Sequence, residues 1–133
     1  MKENTNEHIK KLIERYPCLS VCKQSIIEAY KLLKESYTHG RKLLVCENGG
    51  SASDSAHIVG ELMKEFKLKR RVYIEQVEAM KQIDEKLGTI LAENLQGALP
   101  AITLTAHSSL TTAYMNDSNP LLVFAQQVNG YGK

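Results

Sequence analysis

The segment Glu47–Glu61, ENGGSASDSAHIVGE, gathers more residues able to do chemistry than any other stretch of the chain. Gly49, Gly50 and Ser51 stand where an apolar run, Lys42–Cys46, gives way to a helical pattern. A glycine pair at such a junction lets backbone amides approach a ligand closely, and the start of a helix favours an anion. The Ser51 hydroxyl adds one more polar group there. This is not a Walker loop, because no Gly-Lys-Ser/Thr follows, and it is not a G-x-G-x-x-G dinucleotide turn. Ser51 and Asp54 fit a capping box equally well, an arrangement that needs no ligand.

Below the turn, Asp54, His57, Glu61 and Lys64 recur at i, i+3, i+7 and i+10 and share one polar face of a helix. A solvated face has the same pattern. His57 four residues before Glu61 is also the spacing that lets two side chains reach one metal ion or one substrate. Both lean back toward the glycine turn. Ten residues of helix put Glu61 about 15 Å from Ser51, or about 10 Å once the side chain leans back. That span suits an extended anionic molecule with reactive carbons at one end and a phosphate toward the other.

These residues need a frame. Lys42–Cys46 is nearly continuous in apolar character, as expected of a strand buried on both faces. A helix over 52–66 follows, with Ala52, Ala56, Val59, Met63 and Phe66 as its apolar stripe. Strand, glycine turn and helix open an α/β unit. LPAITLT, residues 99–105, reads as a second buried strand, and His107–Thr112 as a helix start. His107 lies at that strand's carboxyl end, where α/β sheets bind ligands, although a capping or turn role accounts for it as well.

Ahead of the first strand, Ile9, Leu12, Ile13 and Tyr16 mark a helix stopped by Pro17. A longer helix runs from about Leu19 to Tyr37, with Gly40 as its stop. Residues 67–97 are helical in pattern, Asp84 being an N-cap and Gly97 an end. Within them Lys67–Arg71 reads as a solvated charged face, with attraction of an anionic sugar or partner as the alternative. Asn116–Asn119 reads as a turn, and Pro120 opens a last helix. Tyr114 and Phe124 are expected to be packing residues.

Composition sets the bounds. A chain of 133 residues with 43% apolar and 24% charged residues suits one packed domain and excludes disorder as its main state. No stretch approaches the roughly 18–20 consecutive apolar residues of a membrane helix. The polar start MKENTNEHIKK shows no secretory pattern. A net charge of +2 is too small to argue for nucleic acid or an anionic membrane. Cys18, Cys22 and Cys46 make an odd set, which predicts reduced, buried structural thiols in a cytoplasmic protein.

ENGGSASDSAH-x3-E, followed by LPAITLTAHSSLTTAYMND and VFAQQVNGYGK, resembles the bacterial phosphoheptose isomerases of the SIS (sugar isomerase) domain family. The resemblance implies an α/β fold of three αβα layers around a Rossmann-like parallel sheet, here incomplete, with an N-terminal helical pair. It implies an N-terminal oligomerisation region at 1–39, an α/β portion at 40–133 and a helical insertion at about 67–97. The implied activity is aldose–ketose isomerisation of a phosphorylated sugar through an enediol. By motif match Glu61 is an acid/base residue with His57 beside it, and the pair binds zinc in members that carry a metal. Asn48, Gly49, Gly50 and Ser51 line the sugar-phosphate site, and Asp117 holds sugar hydroxyls. The implied assembly is a homotetramer through the N-terminal helices, with no nucleic-acid or membrane partner.

The chain departs from that pattern in two places. A third strand leading to a Ser/Thr-rich phosphate loop, and the distal Gln and His beyond it, do not occur, so the chain reads as the front part of such a domain. Glu47 replaces the usual Gly or Ala before Asn48, which puts a negative charge beside the expected phosphate. The alternative reading is a non-catalytic module of the same fold that binds a phosphosugar or a protein partner.

Overall fold

The computed structural model describes residues 3–132, which divide into two compact units between Arg41 and Lys42. The first unit is helical. Helix α1 spans Glu3–Arg15 and helix α2 Lys23–Thr38. The longer helix expected from Leu19 is instead a 3-10 segment, Pro17–Cys22, that precedes α2. Pro17 presets its own φ and lacks an N–H, which suits the first position of that helical segment. The Cys22 thiol donates to the Leu19 carbonyl at 3.3 Å inside that turn. Gly40 ends α2 with a φ of +67°, a conformation that glycine adopts without a Cβ penalty.

Ile9 is the buried residue of α1, and Thr5 and Tyr30 share a hydroxyl–hydroxyl hydrogen bond of 3.3 Å between α1 and α2. The expectation of buried thiols is overturned. Cys18 and Cys46 are exposed and Cys22 is only half-buried, because the 3-10 segment turns Cys18 outward and Cys46 lies just past a strand end.

The second unit is built on two short parallel strands, β1 (Leu43–Val45) and β2 (Ala101–Thr103), in the register Leu43–Ala101, Leu44–Ile102 and Val45–Thr103. Backbone bonds extend the pairing at both ends, from Leu43 N to Pro100 O at 2.9 Å and from Leu104 N to Val45 O at 2.8 Å. The strands are not buried on both faces as expected. All of β1 is half-buried and only Ala101 of β2 is buried, since a sheet of two strands has two edges and few neighbours to cover it.

Helix α3 (Ser51–Met63) packs on β2. Its inward face centres on Ser55, which is fully buried, rather than on the expected stripe. Ala52 and Val59 are half-buried, Ala56 and Met63 are exposed, and Phe66 lies beyond the helix at 79% exposure. The small Ser55 lets the helix approach the sheet, which rotates the larger apolar residues outward.

Residues 67–97 form a helical hairpin, α4 (Ile74–Ile83) and α5 (Glu85–Asn94). Asp84 caps α5 as expected, accepting from Leu87 N at 2.8 Å. At the joint, a Cβ on Gly88 would lie 2.6 Å from the Lys81 backbone nitrogen, so only glycine fits there. Helix α5 ends at Asn94 rather than Gly97, and Gly97 instead pairs with Arg70, its N–H donating to the Arg70 carbonyl at 2.9 Å.

Helix α6 spans Ser108–Asp117, so Asn116 and Asp117 belong to its last turn and not to the expected loop. Asn119 then accepts from Leu121 N at 3.0 Å, opening a 3-10 turn (Pro120–Leu122) that leads into α7 (Val123–Tyr131). The core of this unit is Ala101, Leu104 and Val123, joined by the buried polar residues Ser55 and Gln127. No helix among the described residues is long and apolar enough to cross a membrane.

Candidate functional site

The glycine turn sits at the carboxyl end of β1. Gly49 has a φ of +56°, and the first bonds of the following helix run from Ala52 N to Gly49 O and from Ser53 N to Gly50 O. Gly50 occupies the N-cap position and makes no side-chain cap, so the capping box of Ser51 and Asp54 does not form. Ser51 is already inside the helix, one residue too late to cap it.

A cavity of about 280 Å³ opens at the carboxyl ends of the two strands. Glu47, Asn48 and Gly49 line it from the β1 side. Thr105, Ser108, Thr111 and Thr112 line it from the β2 and α6 side, and Phe124 of α7 closes it. Parallel α/β sheets bind ligands at this end of their strands.

The other expected site residues are placed elsewhere. Gly50, Ser51, His57, Glu61 and Asp117 do not line this cavity. His57 Nε2 and Glu61 Oε1 are 3.7 Å apart, and Lys64 Nζ is 3.6 Å from the same Glu61 oxygen, so three of the four residues on the polar face of α3 do converge. The His57 side chain is 76% exposed and that of Glu61 only 29%. Glu61 Oε2 is shielded from solvent and has no hydrogen-bond partner. A carboxylate held through one oxygen keeps the second available as a proton acceptor. Asp117 is exposed and accepts from Asn116 Nδ2 at 2.8 Å.

His57 and Glu61 offer two donors, whereas a zinc site needs three or four, and no group of three His, Cys, Asp or Glu among the described residues could hold a metal ion.

The sequence reading missed Arg70, which it left in a solvated charged run. Arg70 Nη2 donates to the carbonyls of Leu62 at 2.7 Å and Lys64 at 2.6 Å, and Nε donates to the carbonyl of Gly97 at 2.7 Å. One guanidinium thereby satisfies carbonyls at the end of α3 that have no helical partner and ties them to the segment before β2. Gln96 Oε1 accepts from Glu65 N at 2.6 Å, and Leu99 N donates to Leu62 O at 2.9 Å, completing the tie. A run of five residues with four cations masks one such residue, because a local pattern does not reveal which carbonyls one guanidinium reaches, here 6, 8 and 27 positions away.

His107 stands at the N-cap position of α6 without making a side-chain cap. Its Nε2 instead pairs with the Tyr131 hydroxyl at 2.7 Å, and the two rings stack at 5.8 Å, so it holds the start of α6 to the end of α7.

Similarity to known proteins points one way. The chain is 34% identical over 110 residues to the phosphoheptose isomerase of Clostridium acetobutylicum, a match covering 83% of this chain and 41% of that protein. It is 33% identical over 102 residues to the phosphoheptose isomerase of a Synechocystis species, covering 77% of this chain and 39% of the relative. That of Geobacter sulfurreducens is 36% identical over 98 residues, covering 74% and 38%. The chain is a distant homologue of the phosphoheptose isomerases. It spans about two fifths of the length of the relatives it matches, 41% and 39% in the first two. No family model and no solved structure matches it.

Proposed function

We propose that this chain carries the front half of a sugar-phosphate aldose–ketose isomerase site built on an SIS-type αβα frame. The observation that carries the reading is the convergence of His57 and Lys64 on one oxygen of Glu61 while the other oxygen stays unpartnered, in a homologue of phosphoheptose isomerases. In such a reaction a base takes a proton from the carbon beside the carbonyl, the electron pair forms an enediol, and a proton returned to the neighbouring carbon gives the isomer. Glu61 is assigned the proton transfer, with His57 and Lys64 placed beside one of its oxygens and the other left to meet the substrate. A sedoheptulose 7-phosphate-like ketose is the assigned substrate class, with the sugar chain running from the strand-end cavity toward Glu61.

The same reading assigns residues 1–39 to assembly, as a tetramer through the N-terminal helices, and 40–133 to the α/β portion. Val21 at 93% exposure and Leu32 at 66% in the first unit are the apolar surface such an assembly would cover. If zinc is bound, this chain's ligands to it are His57 and Glu61, with the remainder supplied from outside the described residues.

The test is turnover of sedoheptulose 7-phosphate, followed as aldose formation, by the wild-type chain and by Glu61→Gln. Removing a general acid/base costs about 10²–10⁴-fold in rate, so loss on that scale is expected. Equal turnover by both proteins removes Glu61 from the mechanism. A second reading, a phosphosugar-binding module without catalysis, is favoured by the absence of Glu61 from the strand-end cavity and by the presence of Glu47 in it. Saturable ligand binding without turnover by the wild type selects that reading.

A further inference from the structure

Helix geometry alone does not account for the carboxyl end of α3. Lys64 follows the helix with an extended backbone, φ −131° and ψ 178°, yet its ammonium lies 3.6 Å from Glu61 Oε1. Inside an α-helix, side chains three positions apart meet because the turn places them together. Lys64 N still donates to Gly60 O at 3.2 Å, but its φ and ψ have left the helix, so α3 does not set where its side chain goes. That side chain is largely exposed, and an exposed ion pair is too weak to hold a long lysine by itself. What fixes Lys64 is its backbone. Its carbonyl accepts from Arg70 Nη2 at 2.6 Å, and the same nitrogen donates to the carbonyl of Leu62, the neighbour of Glu61, at 2.7 Å. Arg70 Nε meanwhile donates to the Gly97 carbonyl at 2.7 Å, in the segment that leads into β2. Glu65 is held from that segment by Gln96, and its carbonyl accepts from Lys64 Nζ at 3.2 Å.

We infer that Arg70 is a positioning residue for Glu61: by gripping the backbone of Leu62 and Lys64, it places the Lys64 ammonium at one carboxylate oxygen and leaves the other open. This deepens the isomerase reading and rests on it for what Glu61 does. A guanidinium suits the task, because one rigid planar fork reaches three carbonyls in fixed directions, which a flexible point-charge ammonium does not. The link runs from Gly97 through Arg70 and Lys64 to Glu61. Proton transfer depends steeply on where the base sits, so loosening Lys64 and Glu61 slows the reaction without weakening substrate binding.

The experiment reads Glu61 directly and turnover separately. Protein isotopically labelled at its glutamate carboxyl carbons gives the Glu61 signal by NMR at one fixed pH, assigned with Glu61→Gln. Lys64→Met should displace that signal, and Arg70→Met should displace it too. Adding Lys64→Met to Arg70→Met should then change it little further, the non-additivity expected of two residues acting along one path. Arg70→Lys should behave like Arg70→Met, and it carries the same comparison if Arg70→Met does not fold. In turnover of sedoheptulose 7-phosphate, both Arg70 variants should lower kcat by about 10–100-fold and change KM by less than about twofold. An unmoved Glu61 signal in the Arg70 variants overturns the inference, as does a full-sized Lys64→Met displacement in their presence. Turnover that falls with Glu61→Gln but not with either Arg70 variant overturns it as well, while sparing the isomerase reading. No turnover by the wild-type chain, with the carboxyl signals as expected, removes the isomerase reading and leaves Arg70 as the residue that places Glu61.

Discussion

The two ends of α3 are built by opposite means. Its amino end is open: Gly49 turns with a positive φ, Gly50 sits at the cap, and no side chain closes the first turn. Its carboxyl end is tied, with Arg70 bonded to Leu62, Lys64 and Gly97, and Gln96 and Leu99 adding two further bonds. Backbone groups left unsatisfied at a helix start are free to meet a ligand, whereas carbonyls satisfied from a distant segment are spent on holding the helix in place. The residue proposed for proton transfer, Glu61, lies next to the tied end, and the cavity proposed for the sugar chain lies beside the open one. A reacting group needs a fixed position, and a ligand needs room and unpaired partners.

The sharpest way to break this contrast is at Arg70. Arg70→Met keeps much of the apolar stem and removes three charge-assisted bonds, and it should lower unfolding free energy by about 3 kcal/mol, read from the urea midpoint. Amide exchange in the last turn of α3 should rise more than exchange at its start. The same protection along α3 in Arg70→Met as in the wild type would show that α3 is held by its packing on β2 alone.

A smaller effect is expected at Gly49. Nothing lies within 4 Å of a Cβ built there, so Gly49→Ala meets only the cost of its positive φ, about 1 kcal/mol, measured by the same unfolding curve. A much larger loss would mean that the turn is packed and not open.

The smallest effect is expected at Ser51. Its side chain caps nothing, so Ser51→Ala should change stability by less than about 0.5 kcal/mol. A loss near 1 kcal/mol, the usual worth of an N-cap, would restore the capping box and close the end described here as open.

How much of this was legible beforehand depends on the range of the interaction that decides it. Glycine at 49 and 50, the Asp84 cap and the His57–Glu61 pair rest on residues within four positions of one another, and local spacing was enough to find them. The hairpin of α4 and α5 was visible for the same reason, although its end shifted from Gly97 to Asn94. Strand burial, the exposed thiols and the outward rotation of the α3 stripe were misread. Each depends on what packs against an element, and sequence periodicity carries no information about a neighbour that is missing or replaced by a small residue such as Ser55.

The sequence by itself determined the order of elements, the glycine turn after a short apolar strand, and a polar helix face that presents His57, Glu61 and Lys64 together, since 3.6 residues per turn leaves that face no alternative. Kinship with phosphoheptose isomerases was also readable from motif order. Only the tertiary structure decided that Arg70 is a tie and not a solvated cation, that His107 joins Tyr131, and that Glu47 shares a cavity with Ser108, Thr111, Thr112 and Phe124 while Glu61 does not. Those pairings span tens of residues, and they exist because two parallel strands bring the ends of distant segments side by side.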